Sequence, residues 1–274
     1  MKYTLAAFAD EAASSLSGQI QAMLDNHISY LEIRGVDGEN IADLSIEKAK
    51  EVRGRLSEAG LSVWSLGSPY GKIHINDDFE PHLESFYHGL ELAGILGAKH
   101  IRLFSFYCPA DKPEHYSDEV MRRLECFISA AKGTDLILCH ENEKGIYGDI
   151  ASRCAEIHQN FPELKAVFDP ANFVQCGQDT LEAWEKLSPY VEYMHIKDAL
   201  ADGSVVPAGK GMGNLPYLLS RYSGDVLTIE PHLSVFDGFS ALENTDTAKR
   251  KSYCYSNSRE AFDAAVHALC ELVS

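Results

Sequence analysis

Short apolar runs alternate along the chain with longer segments in which apolar residues recur every three or four positions. The short runs have the length and the β-branched or aromatic content of buried strands, and the longer segments have the period of amphipathic helices. The predicted strands cover residues 3–8, 30–34, 61–66, 100–105, 136–141, 166–169, 193–195 and 226–230. The predicted helices cover residues 16–27, 45–59, 83–96, 118–132, 149–160, 180–187, 215–222 and 258–273.

Eight strand–helix units in alternation predict an α/β protein with a parallel sheet. The length of 274 residues is close to the roughly 250 that a closed (β/α)8 barrel needs. We therefore predict a single (β/α)8 TIM barrel that occupies residues 1–274 as one domain. The irregular stretch 234–257 follows the last strand and contains Lys249-Arg250-Lys251. It is interpreted as a lid, a contact in a homo-oligomer or a solvated surface loop.

Four of the predicted strands end in a residue that can bind a metal or move a proton. These residues are Glu141, Asp169, His195 and Glu230. Parallel α/β folds place their sites at the carboxyl ends of strands, so the four side chains are expected to converge. Each alone has a structural explanation, such as a turn at Asp169 or a core histidine at His195. Together, the three carboxylates would repel one another without a cation, which favours a metal site.

Oxygen and imidazole ligands without thiolate suit one divalent ion such as Mn²⁺, Mg²⁺, Co²⁺ or Zn²⁺.

Cationic residues at or beyond the predicted strand ends are candidates for binding a phosphate or carboxylate of the substrate. The alternative is that they neutralise Glu32, Asp198 and the metal ligands. These cations are Arg34, Lys72, Arg102, Lys197 and Lys210.

The charge balance limits the kinds of partner. With 41 acidic and 24 basic residues, the chain has a net charge of −17, which disfavours nucleic acid and anionic membrane surfaces. No apolar run has the length of a membrane-spanning helix. The seven cysteines include no CxxC pair, and the apolar run before Asp10 is too short for a signal peptide. These features predict a reduced, cytoplasmic protein that acts on a small polar molecule.

Several motifs resemble the sugar phosphate isomerase/epimerase family, the xylose isomerase-like TIM barrels, and the likeness extends over nearly the whole chain. The resemblance implies that Glu141, Asp169, His195 and Glu230 hold one divalent ion and that Glu141 and Glu230 also form an acid/base pair. The motifs are Glu141-Asn-Glu-Lys-Gly-Ile-Tyr-Gly, Phe168-Asp-Pro-Ala-Asn-Phe, His195-Ile-Lys-Asp-Ala, Pro207-Ala-Gly-Lys-Gly and Ile229-Glu-Pro-His.

The sequence departs in two places from the ketose 3-epimerases of this family. Those enzymes usually place a substrate-binding histidine three residues after the strand-six aspartate, where this chain has Asn172. Lys197 and Asp198 also follow His195 where those epimerases continue differently. Asn172 and Lys197 are therefore candidate substrate-binding residues, and free-ketose epimerisation is not favoured as the specific activity.

The expected reaction is isomerisation or epimerisation of a small carbohydrate or sugar phosphate. Paired glutamates would transfer a proton through a metal-stabilised enediolate. Inosose-type dehydration is the first alternative, because loss of hydroxide can follow the same proton removal. A nuclease similar to apurinic endonucleases and a sugar-binding barrel without turnover are further alternatives. The nuclease would need additional metal ligands from the early strands, which supply no clear set.

Overall fold

The computed structural model describes residues 2–234 and 255–274. Within these ranges, eight parallel strands form a closed barrel in which the first strand, Thr4–Ala7, pairs with both the second, Tyr30–Ile33, and the last, Val226–Ile229. This confirms the predicted (β/α)8 TIM barrel. The strands are β1 Thr4–Ala7, β2 Tyr30–Ile33, β3 Ser62–Gly67, β4 His100–Leu103, β5 Ile137–Glu141, β6 Lys165–Phe168, β7 Val191–Ile196 and β8 Val226–Ile229.

Helices surround the barrel, and most begin at a residue whose side chain caps a free backbone N–H. Ser15, Ser45, Asp169, Asp179 and Asn257 each accept such a hydrogen bond, which stabilises the first helical turn. The helices are α1 Leu16–Asp25, α2 Ile46–Glu58, α3 Glu80–Leu96, α4 Ser117–Ala131, α5 Ala151–Asn160, α6 Pro170–Gln175, α7 Thr180–Leu187, α8 Leu215–Arg221 and α9 Ser258–Val273.

The main hydrophobic core lies between the barrel and its helices, and a smaller cluster fills the barrel interior. Cys139, Val167 and Tyr193 belong to this inner cluster. Each precedes Glu141, Asp169 or His195 by two positions and therefore lies on the same face of its strand. The inner cluster packs directly below the predicted ligands, so the site opens toward the carboxyl ends of the strands.

Some elements were not predicted. Two short antiparallel hairpins pair Gly35–Val36 with Glu39–Asn40 and Asp198–Ala199 with Val205–Val206, and α6 is only six residues long. Segments this short have too few positions to display a hydrophobic period. The predicted loop at 234–257, with its basic run, lies largely outside the described residues. No helix within the described ranges is long and apolar enough to span a membrane.

Candidate metal and catalytic site

The barrel brings the four strand-end residues together. Glu141, Asp169, His195 and Glu230 are all buried, and each offers one ligand atom within 4.8 Å of the others. Glu141 ends β5 and His195 lies near the end of β7, whereas Asp169 and Glu230 directly follow β6 and β8. The expected convergence at one end of the sheet therefore occurs.

Asp169 has one oxygen engaged in the fold and one directed to the cluster. Its Oδ1 accepts a hydrogen bond from Asn172 N at 2.9 Å and so caps α6. Its backbone is fixed by Asn142, which accepts from Asp169 N and donates to Asp169 O, both at 2.9 Å. The buried Oδ2 has no hydrogen-bond partner among the described residues. Lys197 Nζ lies 3.1 Å from Oδ2, within ion-pair distance but outside hydrogen-bonding geometry.

His195 lies between two carboxylates. Its Nδ1 is 2.9 Å from Glu141 Oε1 and 3.4 Å from Glu230 Oε2, whereas its Nε2 is 3.1 Å from Glu32 Oε2. Burial lowers the pKa of His195, but Glu141 and Glu32 more than reverse this effect and hold it well above its usual range. Without a metal, His195 is therefore an imidazolium that donates from both nitrogens.

The two glutamates of the proposed acid/base pair are each held by an arginine. Arg102 Nη1 donates to Glu141 Oε2 at 2.8 Å, and Arg34 Nη1 donates to Glu230 Oε1 at 3.3 Å. Burial raises the pKa of both carboxyls, but neighbouring positive charges outweigh it. His195 and Arg102 lower the pKa of Glu141, and Lys197 together with the hydrogen bond from His195 lowers that of Glu230. Both glutamates are therefore ionised and able to accept a proton.

Lys197 extends into the cluster itself. Its Nζ lies 3.1 Å from both Asp169 Oδ2 and Glu230 Oε2, so an ammonium contacts two of the four candidate ligands. Lys197 therefore lies among the four candidate ligands rather than at the rim of the barrel.

Two other predicted substrate residues lie beside the cluster. Lys72 Nζ is 3.2 Å from Glu143 Oε2 and 4.3 Å from the centre of the Phe104 ring. Asn172 Nδ2 is 3.4 Å from Glu141 Oε1 and donates to Asn142 O at 2.9 Å.

Lys210 differs from the other predicted cations because it is exposed. In its glycine-rich loop, backbone N–H groups rather than the Lys210 side chain contact a charged group. Gly209, Gly211 and Gly213 donate their N–H groups to the carboxylate of Asp198 at 2.8–3.0 Å. Asp198 is therefore stabilised by backbone N–H groups, whereas one of the two alternatives from the sequence is that a cation neutralises it.

Sequence reasoning did not assign three residues that complete the site. Glu32 contacts His195, and Glu11 and His232 form a second group of potential ligand atoms with Glu230. Burial raises the pKa of Glu11 to about 8 despite the nearby Arg34 guanidinium. The available signal was the inward-facing position of Glu32 on β2 and the motif Glu230-Pro-His232, but neither identifies a contact across the barrel.

The residues present fit a divalent metal ion. The donor set is three carboxylates and one imidazole, which suits Zn²⁺, Mn²⁺, Mg²⁺ or Co²⁺. Asp169 supplies a buried oxygen that makes no hydrogen bond among the described residues. This oxygen lies 3.1 Å from the Lys197 ammonium, a positive charge that a metal ion could replace.

Comparison with known proteins agrees with this architecture. Residues 24–222 match the model of the xylose isomerase-like TIM barrel family, and the chain belongs to that family. No curated protein sequence matches the chain.

Solved structures of low sequence identity share the fold over the full chain. The IolI protein with a bound zinc atom has a TM-score of 0.75 at 15% identity, covering 99% of this chain and 98% of that one. The probable 3-DHS dehydratase AsbF of petrobactin synthesis from Bacillus anthracis has a TM-score of 0.70 at 17% identity, with coverage of 98% and 99%. The 3-keto-D-glucoside 4-epimerase YcjR from E. coli has a TM-score of 0.67 at 15% identity, with 99% of each chain covered.

Proposed function

We propose that this chain is a divalent-metal-dependent isomerase or epimerase of a small carbohydrate. The observation that carries the proposal is the pairing of Glu141 and Glu230, two ionised carboxylates that both approach His195 Nδ1. Each is fixed by its own arginine, at 2.8 Å from Arg102 and 3.3 Å from Arg34. Two oriented bases in one buried cluster can act on the same substrate carbon or on neighbouring carbons.

Glu141, Asp169, His195 and Glu230 would hold the metal ion. A divalent ion supplies Lewis-acid polarisation of a carbonyl and the hydroxyl beside it. One glutamate then removes the carbon-bound proton, and the other, after taking up a proton from solvent, returns one to the substrate. Return to the opposite face of the same carbon gives epimerisation, and return to the neighbouring carbon moves the carbonyl. Lys72, Asn172, Lys197 and the two arginines would orient the substrate hydroxyls.

The charge pairing in the site favours an uncharged sugar over a phosphorylated one. Each buried cation near the cluster already lies within ion-pair distance of a carboxylate, so a phosphate would have to compete for it. The pairs are Arg34 with Asp10, Glu11 and Glu230, Lys72 with Glu143, Arg102 with Glu141, and Lys197 with Asp169 and Glu230.

Dehydration is a second candidate, and the position of Lys197 supports it. After a glutamate removes the carbon-bound proton, the ammonium 3.1 Å from Asp169 and Glu230 can donate a hydrogen bond to the departing hydroxide, which then takes up a proton from solvent. The epimerase and dehydratase among the structural neighbours are compatible with either outcome. The cytoplasmic location and a homo-oligomer stay predictions from the sequence.

The test is turnover in D₂O with added Mn²⁺, Co²⁺, Mg²⁺ or Zn²⁺. The substrates are free ketoses, aldoses and inososes, each compared with its phosphate ester where one exists. We expect a free sugar to react with deuterium appearing at the product carbon, as detected by NMR. Glu141→Gln and Glu230→Gln should each reduce turnover by roughly 10²–10⁴-fold, the contribution typical of a positioned acid or base.

Normal conversion without any deuterium in the product would contradict the proton-transfer mechanism. The glutamates would then act as ligands only, and a hydride shift between adjacent carbons would replace it. Preference for the phosphate ester would contradict the proposed substrate charge while leaving the reaction class intact.

A further inference from the structure

Glu32 contacts Nε2 of His195, the ring nitrogen that faces away from the other candidate ligands. His195 Nδ1 faces Glu141 and Glu230, whereas Nε2 points away from them to Glu32 Oε2 at 3.1 Å. A neutral imidazole presents one lone pair and one N–H. If Nδ1 binds a metal ion, the proton must be on Nε2, and Glu32 is the group that accepts the hydrogen bond.

Glu32 is itself fixed by a second layer of hydrogen bonds. Tyr193 OH donates to Glu32 Oε1 at 2.9 Å, and Ser65 Oγ lies 3.2 Å from the same hydroxyl. All three residues are fully buried or nearly so, and they lie on β2, β3 and β7. The Phe8 ring packs edge-on against His195 with ring centres 5.2 Å apart. The ring of His195 is therefore held on rigid strands from several sides.

We propose that Glu32 is a positioning residue that fixes His195 as the Nε2-protonated tautomer, so that the Nδ1 lone pair is directed into the metal cluster. A carboxylate behind a metal-binding histidine orients the ring and increases its basicity. Glu32 does not touch the reacting atoms in this role. The inference rests on the proposed metal site, and its test must distinguish the two.

The experiment measures metal affinity in the full-length chain. Glu32→Gln keeps the size of the side chain but removes its charge, and Tyr193→Phe keeps the carboxylate but removes its anchor. The matched control is Glu192→Gln, because Glu192 also pairs with a histidine, His100, at 3.0 Å but lies toward the opposite end of β7. The probes are Zn²⁺ and Co²⁺, titrated in competition with a chelator, with circular dichroism as the check on folding.

Wild type and Glu192→Gln should bind Zn²⁺ equally. Glu32→Gln should bind about 10–100-fold more weakly, the range found when such outer partners are removed, and Tyr193→Phe should show a smaller loss in the same direction. Histidine ¹⁵N NMR of the zinc-loaded wild type should show a proton on Nε2 of His195 and the metal on Nδ1. If Glu32→Gln does not fold, the Zn²⁺ affinity of Tyr193→Phe is compared with that of wild type instead.

Two results would overturn this assignment alone. The first is that folded Glu32→Gln binds Zn²⁺ as tightly as wild type or, if that variant does not fold, that Tyr193→Phe does so. The second is that zinc is bound by Nε2 of His195. In either case the metal site and the proposed function would stand. A wild-type chain that binds neither ion would overturn both the metal site and the role of Glu32.

Discussion

At the scale of single residues, the candidate site is a set of carboxylates that compete for cations. In the structure, His195 and Lys197 supply positive charge to these carboxylates. Lys197 Nζ reaches Asp169 and Glu230 at 3.1 Å, and His195 Nδ1 reaches Glu141 at 2.9 Å. A divalent ion at the same ligand atoms would replace these contacts. Metal binding and protonation of the cluster are therefore linked.

This linkage predicts that metal affinity rises with pH. Burial raises the pKa of Asp169 to about 7, and the carboxylates of Glu141 and Glu32 hold the pKa of His195 well above its usual range. Below about pH 7 the metal-free protein holds protons at both groups, and the ion must displace them. The apparent Kd for Zn²⁺ should therefore fall as pH rises from 6 to 8. Calorimetry in buffers of different ionisation enthalpy should detect protons released on binding, whereas constant affinity over this range without proton release would contradict the linkage.

At the scale of elements, the alternation of strands and helices was predictable from hydrophobic period. All eight barrel strands and their principal helices lie where the pattern places them, because each must bury one face against the next layer. The short pieces at the barrel mouth were not predictable in this way. Helix α6 begins at Pro170, with Asp169 as its N-cap. This pair of residues is a helix start signal, whereas the structural alternative considered for Asp169 was a turn.

The loop around Gly211 illustrates a constraint that becomes visible only in three dimensions. A Cβ atom at Gly211 would lie 2.3 Å from Asp198 Oδ1 and 2.5 Å from the backbone oxygen of Ala199. Gly211 also donates its N–H to Asp198 at 2.9 Å. The loop therefore needs glycine here for close approach rather than for flexibility.

We predict that Gly211→Ala destabilises the protein by about 1–3 kcal/mol, because the clash displaces a donor from a buried carboxylate. The matched control is Gly54→Ala on α2, where nothing lies within 4 Å of the added methyl group. That change should stabilise the protein by roughly 0.5–1 kcal/mol, the helix preference for alanine over glycine. Urea unfolding measures both values. Equal stability of Gly211→Ala and wild type would show that the loop accommodates a side chain.

At the scale of the whole molecule, barrel closure determines which parts of the site could be found from the sequence. The four ligand candidates were predictable because the ends of parallel strands converge at one face. The contact of Glu32 with His195 joins residues 163 positions apart, and that of Glu11 with His232 joins residues 221 apart. Such pairs depend on strand tilt and side-chain direction across the barrel, which a hydrophobic period does not specify.

The barrel mouth carries more carboxylates than cations, in a chain whose net charge is −17. The carboxylates at the mouth are Asp10, Glu11, Glu32, Glu141, Glu143, Asp169 and Glu230, and the cations paired with them are Arg34, Lys72, Arg102, Lys197 and the His195 imidazolium. A bound divalent ion would relieve this repulsion in the folded state only. Metal binding should therefore stabilise the whole barrel.

The resulting prediction is a metal-dependent increase in Tm that requires Asp169. At a free metal concentration of about 100 times Kd, binding stabilises the folded state by about 2.7 kcal/mol, which corresponds to roughly 5–10 °C for a domain of this size. Asp169→Asn retains a side-chain oxygen that can cap α6 but removes a ligand charge, so it should lose most of the increase. Glu192→Gln should retain it. The measurement is thermal unfolding in a chelator and in Mn²⁺ or Zn²⁺. An equal increase in wild type and Asp169→Asn would show that cations act on the acidic surface in general rather than at the buried cluster.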